Sequence, residues 1–408
     1  MKQKLIALAI MSTTAGLSGA AFAQSNVTIY GVADATFDII NVSGGSAALS
    51  GNTPNFTRVS TNGSRIGFKG SENLGNGLAA LFQFESNANF DSGGALGTSR
   101  DSFVGLSGDF GQVILGNLST PTRVFAAALD VNAGDDGIGT NQAVLGKLGG
   151  ALANAGKGVP AVGADASRSV TSASLFDTRY SNAIAYITPS FSGLQATAGY
   201  VANENKTDAA GAKLNTSAYD LGLNYNNGPI LVGLTYAEAR EKNDVPSGPT
   251  GAPFGSTALK TYLGADQKLK EFRLGGKYDF GVATLRALYA RTKAEGSLND
   301  VKQTVWGIGG TYNVTANGKL TAQYYHAGDL DKSTGADDNT GAKFYTLGYE
   351  HSLSKRTLLK ANYAYLKNDD KTATNGFGGG YDFGKNSSGF AGDEIKISGL
   401  QVGLRHAF

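Results

Sequence analysis

The feature that most constrains this chain is alternation. Through most of its length apolar residues recur at every second position, and in an extended strand successive side chains face opposite sides. Val27, Ile29, Ala33, Ala35, Phe37 and Ile39 fall on one face, and Thr28, Asp34, Thr36 and Asp38 on the other. Leu78, Ala80, Phe82 and Phe84 alternate with Gln83 and Glu85, and Tyr219, Leu221, Leu223 and Tyr225 with Asp220, Gly222 and Asn224. Phe272, Leu274 and Tyr278 oppose Glu271, Arg273 and Lys277; Leu400, Val402, Leu404 and Phe408 oppose Gln401, Gly403 and Arg405. Sixteen such segments can be read, over 26–40, 64–70, 77–87, 100–108, 111–118, 177–188, 193–202, 217–226, 229–239, 269–279, 281–293, 302–313, 319–327, 343–352, 356–367 and 395–408.

Their connections alternate in length. One set is turn-like: Gly108–Gly111, Asn226–Pro229, Asp279–Gly281 and Ala316–Gly318. The other is long and rich in Gly, Asp and Asn, over 41–63, 88–99, 119–176, 203–216, 240–268, 328–342 and 368–394, with 294–301 more modest. An even number of strands with short turns at one end and long loops at the other is the layout of an outer-membrane barrel. A soluble β-sandwich also alternates, but these strands are long enough to cross a bilayer when tilted. Tyr and Phe also sit near segment ends, as at Tyr30, Tyr186, Tyr200, Tyr236, Tyr289, Tyr324–Tyr325, Tyr345 and Tyr363–Tyr365, where interface girdles belong. Closure is the β solution that leaves no unpaired backbone edge in lipid. The pattern therefore predicts an all-β fold, a sixteen-stranded antiparallel transmembrane barrel, apolar face to lipid and polar face to a wet lumen. At that strand number the interior is an aqueous channel rather than a packed core.

The first residues read as a signal rather than as fold. Lys2 and Lys4 precede the apolar run Leu5–Met11, and Ala21-Phe22-Ala23 has the small-x-small pattern of a cleavage site. Residues 1–23 are expected to be a signal peptide and 24–408 the barrel; the apolar stretch is too short and too rich in Ser, Thr and Gly to be an anchor. Removing the signal takes two lysines and no acid, which balances 35 Lys+Arg against 33 Asp+Glu. A nucleic-acid partner, which would call for a basic excess, is not expected. With no cysteine there is no disulfide frame, thiolate nucleophile or Cys-based metal site. Gly is frequent at 58, about twice the usual ~7 %.

Several segments resemble the Gram-negative general porins, especially their beta-proteobacterial subgroup. Gln24–Asp34 resembles the mature start of that family, and Gly63–Gly75 its second strand and following turn. Arg100–Leu106 and Phe110–Gly116 resemble strands four and five; Arg179–Gly193 and Gly399–Phe408 also follow the family pattern. The resemblance runs through residues 24–408 and is weakest in the loops. It implies a homotrimer in the outer membrane, in contact with its lipid and lipopolysaccharide. Each subunit would carry one pore, passing ions and small hydrophilic solutes by passive diffusion. It also implies that the third loop, roughly 119–176, folds in and narrows the barrel. The constriction would set loop acids against wall bases. Arg65 and Arg100 match two wall arginines, Arg168 or Arg179 the third, and Lys69 lies near them; Asp130, Asp135 and Asp136 are placed for the acidic side. The chain departs from the family at Gly116-Asn117, where many members have Gly-Arg, and in an Ala/Gly-rich insert at 146–166. Alternation agrees for Arg65, which takes the face opposite Ile66 and Phe68; on the lipid face an arginine would cost ~2–4 kcal/mol at mid-membrane. The wall arginines lean the expected selectivity weakly toward anions.

Other motifs carry less. Asp-Phe-Gly at 279–281 and 382–384 lacks every other part of a kinase site. His326, His351 and His406 are scattered, with no metal spacing. Asp130, Asp135 and Asp136 could hold calcium, but an acidic loop that is solvated or paired with arginine is the preferred reading, and no metal or cofactor is expected. A barrel enzyme needs a convergent acid–base set at one rim, and no long loop carries a histidine. A substrate-specific porin, a barrel enzyme and an adhesin are the alternatives to a general pore.

Overall fold

The computed structural model describes residues 26–45, 55–93, 96–152, 174–202, 206, 214–243, 257–372, 376–377, 379–384 and 391–408. The expected signal peptide and Arg168 lie outside these residues. Sixteen barrel strands follow in chain order: β1 (Asn26–Ser43), β2 (in two pieces, Asn55–Thr61 and Arg65–Gly75), β3 (Leu78–Asn87), β4 (Ser102–Gly108), β5 (Gly111–Ser119), β6 (Arg179–Ile187), β7 (Leu194–Val201) and β8 (Leu214–Asn227). The second half is β9 (Ile230–Asn243), β10 (Gln267–Asp279), β11 (Ala283–Glu295), β12 (Asp300–Asn313), β13 (Gly318–Ala327), β14 (Ala342–Ser352), β15 (Thr357–Asn368) and β16 (Lys396–Ala407). Each pairs antiparallel with the next, and β16 closes on β1, from Val32 opposite Ala407 to Ser43 opposite Lys396. The backbone of Phe408 exchanges two hydrogen bonds of 3.1 Å with Gly31, so the ladder continues to the last residue.

Residues 55–61, expected within a loop, are strand. The sequence 62–64 (Asn-Gly-Ser) interrupts the alternation there, and Gly63 takes φ +63, a left-handed conformation that glycine adopts without a Cβ penalty. The break is used: the buried Asn62 amide donates to Asp34 Oδ1 and Thr36 Oγ1, both at 2.9 Å.

The outer face is apolar and open: Val104 is 61 % exposed and Leu347 60 %, while the inward Asp34, Asp38 and Arg273 are 0 %. Apolar surface wrapping a whole molecule is stable against lipid rather than water. A belt of rings runs across β12–β15 on this face, Trp306–Tyr324–Tyr345–Tyr365, with centroids 5.4, 4.8 and 6.2 Å apart. Two tyrosines expected in such a belt point inward. Tyr30 lies opposite Gly67 and donates to Glu85 Oε2 at 3.0 Å, and Tyr325 is buried and accepts from Asn141. Strand parity decides this: each is an odd step from its apolar neighbours Ile29 and Tyr324.

The third long connection folds into the barrel. It opens with helix α1 (Pro121–Leu129), whose N-cap Thr120 accepts from Arg123 N at 3.1 Å with Pro at the first turn. Its apolar face settles on a track of inward glycines. A Cβ at Gly233 would stand 2.8 Å from the Phe125 ring, and one at Gly275 2.6 Å from Leu129. Burying two such side chains contributes about 1.5–3 kcal/mol each, and only glycine leaves room for it. Beyond the helix Ile138, Val144 and Leu145 continue the same core, joined by Tyr381 and Phe383 of the last loop. Part of the lumen is therefore packed and dry, not wet throughout as the strand pattern alone implies. Helix α2 (Thr257–Leu263) and a small hairpin, Leu330–Lys332 with Gly335–Asp337, lie in other long connections.

Candidate functional site

The roots of the in-folded loop are held by charge. Arg273 on β10 is fully buried and reaches Asp177 through Nη1–Oδ1 at 2.7 Å and Nη2–Oδ2 at 2.6 Å. It also contacts Glu271 on its own strand and donates to Thr122 O at 3.2 Å. Thr122 Oγ1 donates to Asp220 Oδ1 at 2.8 Å, and Arg123 donates to Asp177 O, so the loop's two ends meet at one place on the wall. The middle of the loop is tied farther round. Gln323 Nε2 donates to Gly139 O at 2.6 Å, Ala133 N to Glu350 at 3.0 Å, and Gly149 N to Gln303 and the Tyr381 hydroxyl, both at 3.1 Å.

Lys147, on this loop, is fully buried and donates to Asp382 O at 3.2 Å. Burial pushes its ammonium down to about 7, against the pull of Asp382 and Asp177. This contact couples the third loop to the eighth.

Opposite the loop stands a ladder of charges. Arg65 on β2 and Arg100 before β4 both contact Glu85 of β3, Arg65 Nε at 3.6 Å, and Arg100 Nη1 also donates to Asn87 at 3.2 Å. Arg179 at the start of β6 donates from Nε to Asp101 Oδ2 at 3.0 Å. Burial would raise the Asp101 carboxyl, but Arg179 and two hydrogen bonds from Ser119 hold it below the usual carboxylate range. Lys69, two inward steps from Arg65 toward the turn with Gly67 between, is exposed with Nζ 5.2 Å from the Tyr30 ring centroid.

Of the loop acids, Asp136 faces the wall. It abuts Gly63, stands 3.7 Å from Arg405 and lies within the field of Arg65. Asp130 turns the other way: it caps α1 and accepts from Asn132 N at 2.8 Å and Asn141 N at 2.6 Å, bracing the loop internally. Asp135 ends the short turn Ala133–Asp135; its side chain lies outside the described residues. Among the described residues no group of His, Asp and Glu is gathered as a metal would need.

Other wall charges are not assigned to the constriction from sequence, although Asp34, Asp38 and Arg405 are placed on the polar face. Arg58 meets Asp38 at 3.1 Å, and Asp34 takes Lys360 at 2.7 Å and Arg405 at 3.2 Å. For Asp34, Asp38, Lys360 and Arg405 the signal is present, since each is a charged residue on the polar face of an alternating strand, whereas Arg58 falls in a segment read as loop; spacing along the chain does not reveal which strands become neighbours around the ring. Near Arg65, Arg100, Arg405 and Lys360 stand the carboxylates Glu85, Asp136 and Asp34, four cations to three anions.

A sequence profile described as Gram-negative porin matches residues 7–371. "Outer membrane porin protein 32" of Delftia acidovorans is 32% identical over 422 residues, with all of both chains covered. "Major outer membrane protein P.IB" of Neisseria sicca is 28% identical over the full length of both. Among solved structures, "Anion-selective porin from Comamonas acidovorans" superposes with a TM-score of 0.68 at 29% identity, covering 94% of this chain and 100% of that one.

Proposed function

The chain belongs to the Gram-negative porin family, an outer-membrane family of channels, and from that premise we propose a general diffusion pore with a weak preference for anions. The lumen passes ions and small hydrophilic solutes passively. The observation that carries the preference is the sharing of Glu85 by Arg65 and Arg100, which leaves one positive charge beside the narrowing. Fixed charge acts on a permeating ion within roughly the ~8 Å screening length of physiological salt. Arg65, Arg100, Arg179 and Lys69 supply the basic wall, and Asp136 the loop's acid. Asp130 serves the loop's shape; Asp135 and Arg168 remain assigned to the constriction by family pattern alone. The solved relative titled as anion-selective supports the same sign.

Residues 1–23 act as a signal peptide, with 24–408 forming the barrel, and the working unit is a homotrimer set in lipid and lipopolysaccharide. The open apolar outer face supports the lipid contact. Cross-linking in mild detergent should give trimers, and monomers alone would overturn that assignment. The pore itself is tested by liposome swelling: vesicles carrying the protein should swell in small neutral sugars, and vesicles that stay osmotically tight would exclude an open channel.

A further inference from the structure

Each arginine of the ladder described above has a carboxylate in contact, but two inward cations elsewhere on the wall do not. Lys277 on β10 and Arg286 on β11 are direct cross-strand partners. Their neighbours Tyr278 and Leu285 are exposed on the lipid face at 43 % and 50 %, so both bases point inward, where each is half-buried. Among the described residues neither has a carboxylate within ion-pair distance, and Nε and Nη1 of Arg286 are enclosed with no acceptor. The acids whose fields reach Arg286 are Asp130, Glu350 and Asp279. Each is engaged elsewhere. Asp130 accepts from Asn132 and Asn141, Glu350 pairs with Lys319 at 2.7 Å and accepts from Ala133 N, and Asp279 accepts from Gly281 N at 2.8 Å.

We propose that Lys277 and Arg286 form a second anion station on the lumen wall beneath the third loop, binding a small oxyanion, carboxylate or phosphate, between the two cations. This rests on the lumen being an open pore. Like charges directly opposite across two strands repel, and enclosed N–H groups without an acceptor cost desolvation energy. An anion between them relieves both. The surroundings shape the place. Gly309, opposite Arg286 on β12, lets Val131 of the third loop pack down as a roof; a Cβ there would be 2.9 Å from Val131. Thr284 and Thr311, themselves a cross-strand pair, are the next inward residues toward the turn and offer hydroxyls. Planar guanidinium donors and hydroxyls match oxygen acceptors better than a bare halide. The station lies on the turn side of the loop, so an anion that clears the Arg65–Arg100 ladder meets it next.

The test is single-channel conductance of the full protein in planar bilayers against salt activity, in potassium acetate, potassium phosphate and potassium chloride. In the wild type, conductance should saturate in acetate or phosphate at lower activity than in chloride; the salt that saturates identifies the oxyanion. In R286Q/K277Q, which loses both charge-assisted contacts, the half-saturating activity should rise about tenfold or more, the value for losing one such contact being the lower bound. The milder variants K277Q and R286K keep the packing and should give intermediate shifts. Conductance that rises linearly in both oxyanion salts in the wild type, or the same saturation in these variants, overturns the station while leaving the pore intact. A protein that conducts in none of the salts overturns the open-pore reading as well.

Discussion

Replacing Arg273 by Met removes the charge that holds the in-folded loop to the wall while keeping most of the side-chain volume. What remains can be counted. Asp177 keeps the Ser174 hydroxyl at 2.8 Å and Glu271 the Thr292 hydroxyl at 2.7 Å, but both carboxylates are fully buried and lose their only fully buried cationic contact among the described residues. Removing one partner of such a cluster costs about 3–5 kcal/mol, chiefly through the buried charge left behind. The strand ladders do not involve the Arg273 side chain, so the cost falls on docking of the loop rather than on closure of the barrel. Docking should weaken by roughly two to three orders of magnitude, at about 1.4 kcal/mol for each. Limited proteolysis of the reconstituted protein should then cut between residues 120 and 178, and single-channel traces should become noisy with a higher mean conductance. The triple variant R273M/D177N/E271Q, which removes all three charges of this cluster, should recover most of the quiet behaviour, since neutral replacement of a buried ion cluster is often tolerated. If R273M is as quiet and as protease-resistant as the wild type, the loop is not held by this cluster.

Three further outcomes follow from the same contacts. Lys147 titrates near 7 when docked and near 10.5 when released, so docking is strongest above the released value and weakens as pH falls from there to about 7; the protection factors of amides 146–152, with the intrinsic base-catalysed exchange rate divided out, should be lower at pH 6 than at pH 9, and K147M should flatten that dependence. Glu85→Gln leaves Arg65 and Arg100 without their shared carboxylate and should move the zero-current potential in a salt gradient further toward the anion limit. Gly233→Val should displace α1 by overpacking against Phe125, at a cost of about 1–3 kcal/mol, and raise conductance, whereas the same change at Gly228, where φ is +56 but nothing stands within 4 Å, should strain only the turn and leave the conductance as it is.

The barrel was legible because period-2 alternation is a local property that survives without knowing the neighbours. It placed Arg65, Glu85, Asp34, Asp38, Arg273 and Lys277 inward, as found, and fixed the end of β16 at the chain's last residues. It stopped short at 55–61, where Asn62–Ser64 break the period and a bent strand looks like a loop. Pairing around the ring was not legible: Arg405 meets Asp34 across a chain separation of 371 residues, and no spacing rule connects them. The in-folded loop was expected from family resemblance, but its path was not. Phe125, Leu129 and Ile138 follow no strand period, and the glycines that receive them read only as a high glycine count. Asp130 and Asp136 look equivalent in sequence; one braces the loop and the other faces the wall because the turn at Gly134 sends them apart.

The central claim is that fixed wall charge at the narrowing sets the selectivity of a passive pore. The zero-current potential across a bilayer in a potassium chloride gradient, measured for the wild type and for R65S/R100S, tests it most directly. The account predicts an ohmic channel with a potential on the anion side, and a shift toward cations with higher conductance in the double variant, in which Glu85 is left as an unbalanced acid. A wild-type potential on the cation side, or a double variant with the same potential and conductance as the wild type, would contradict it.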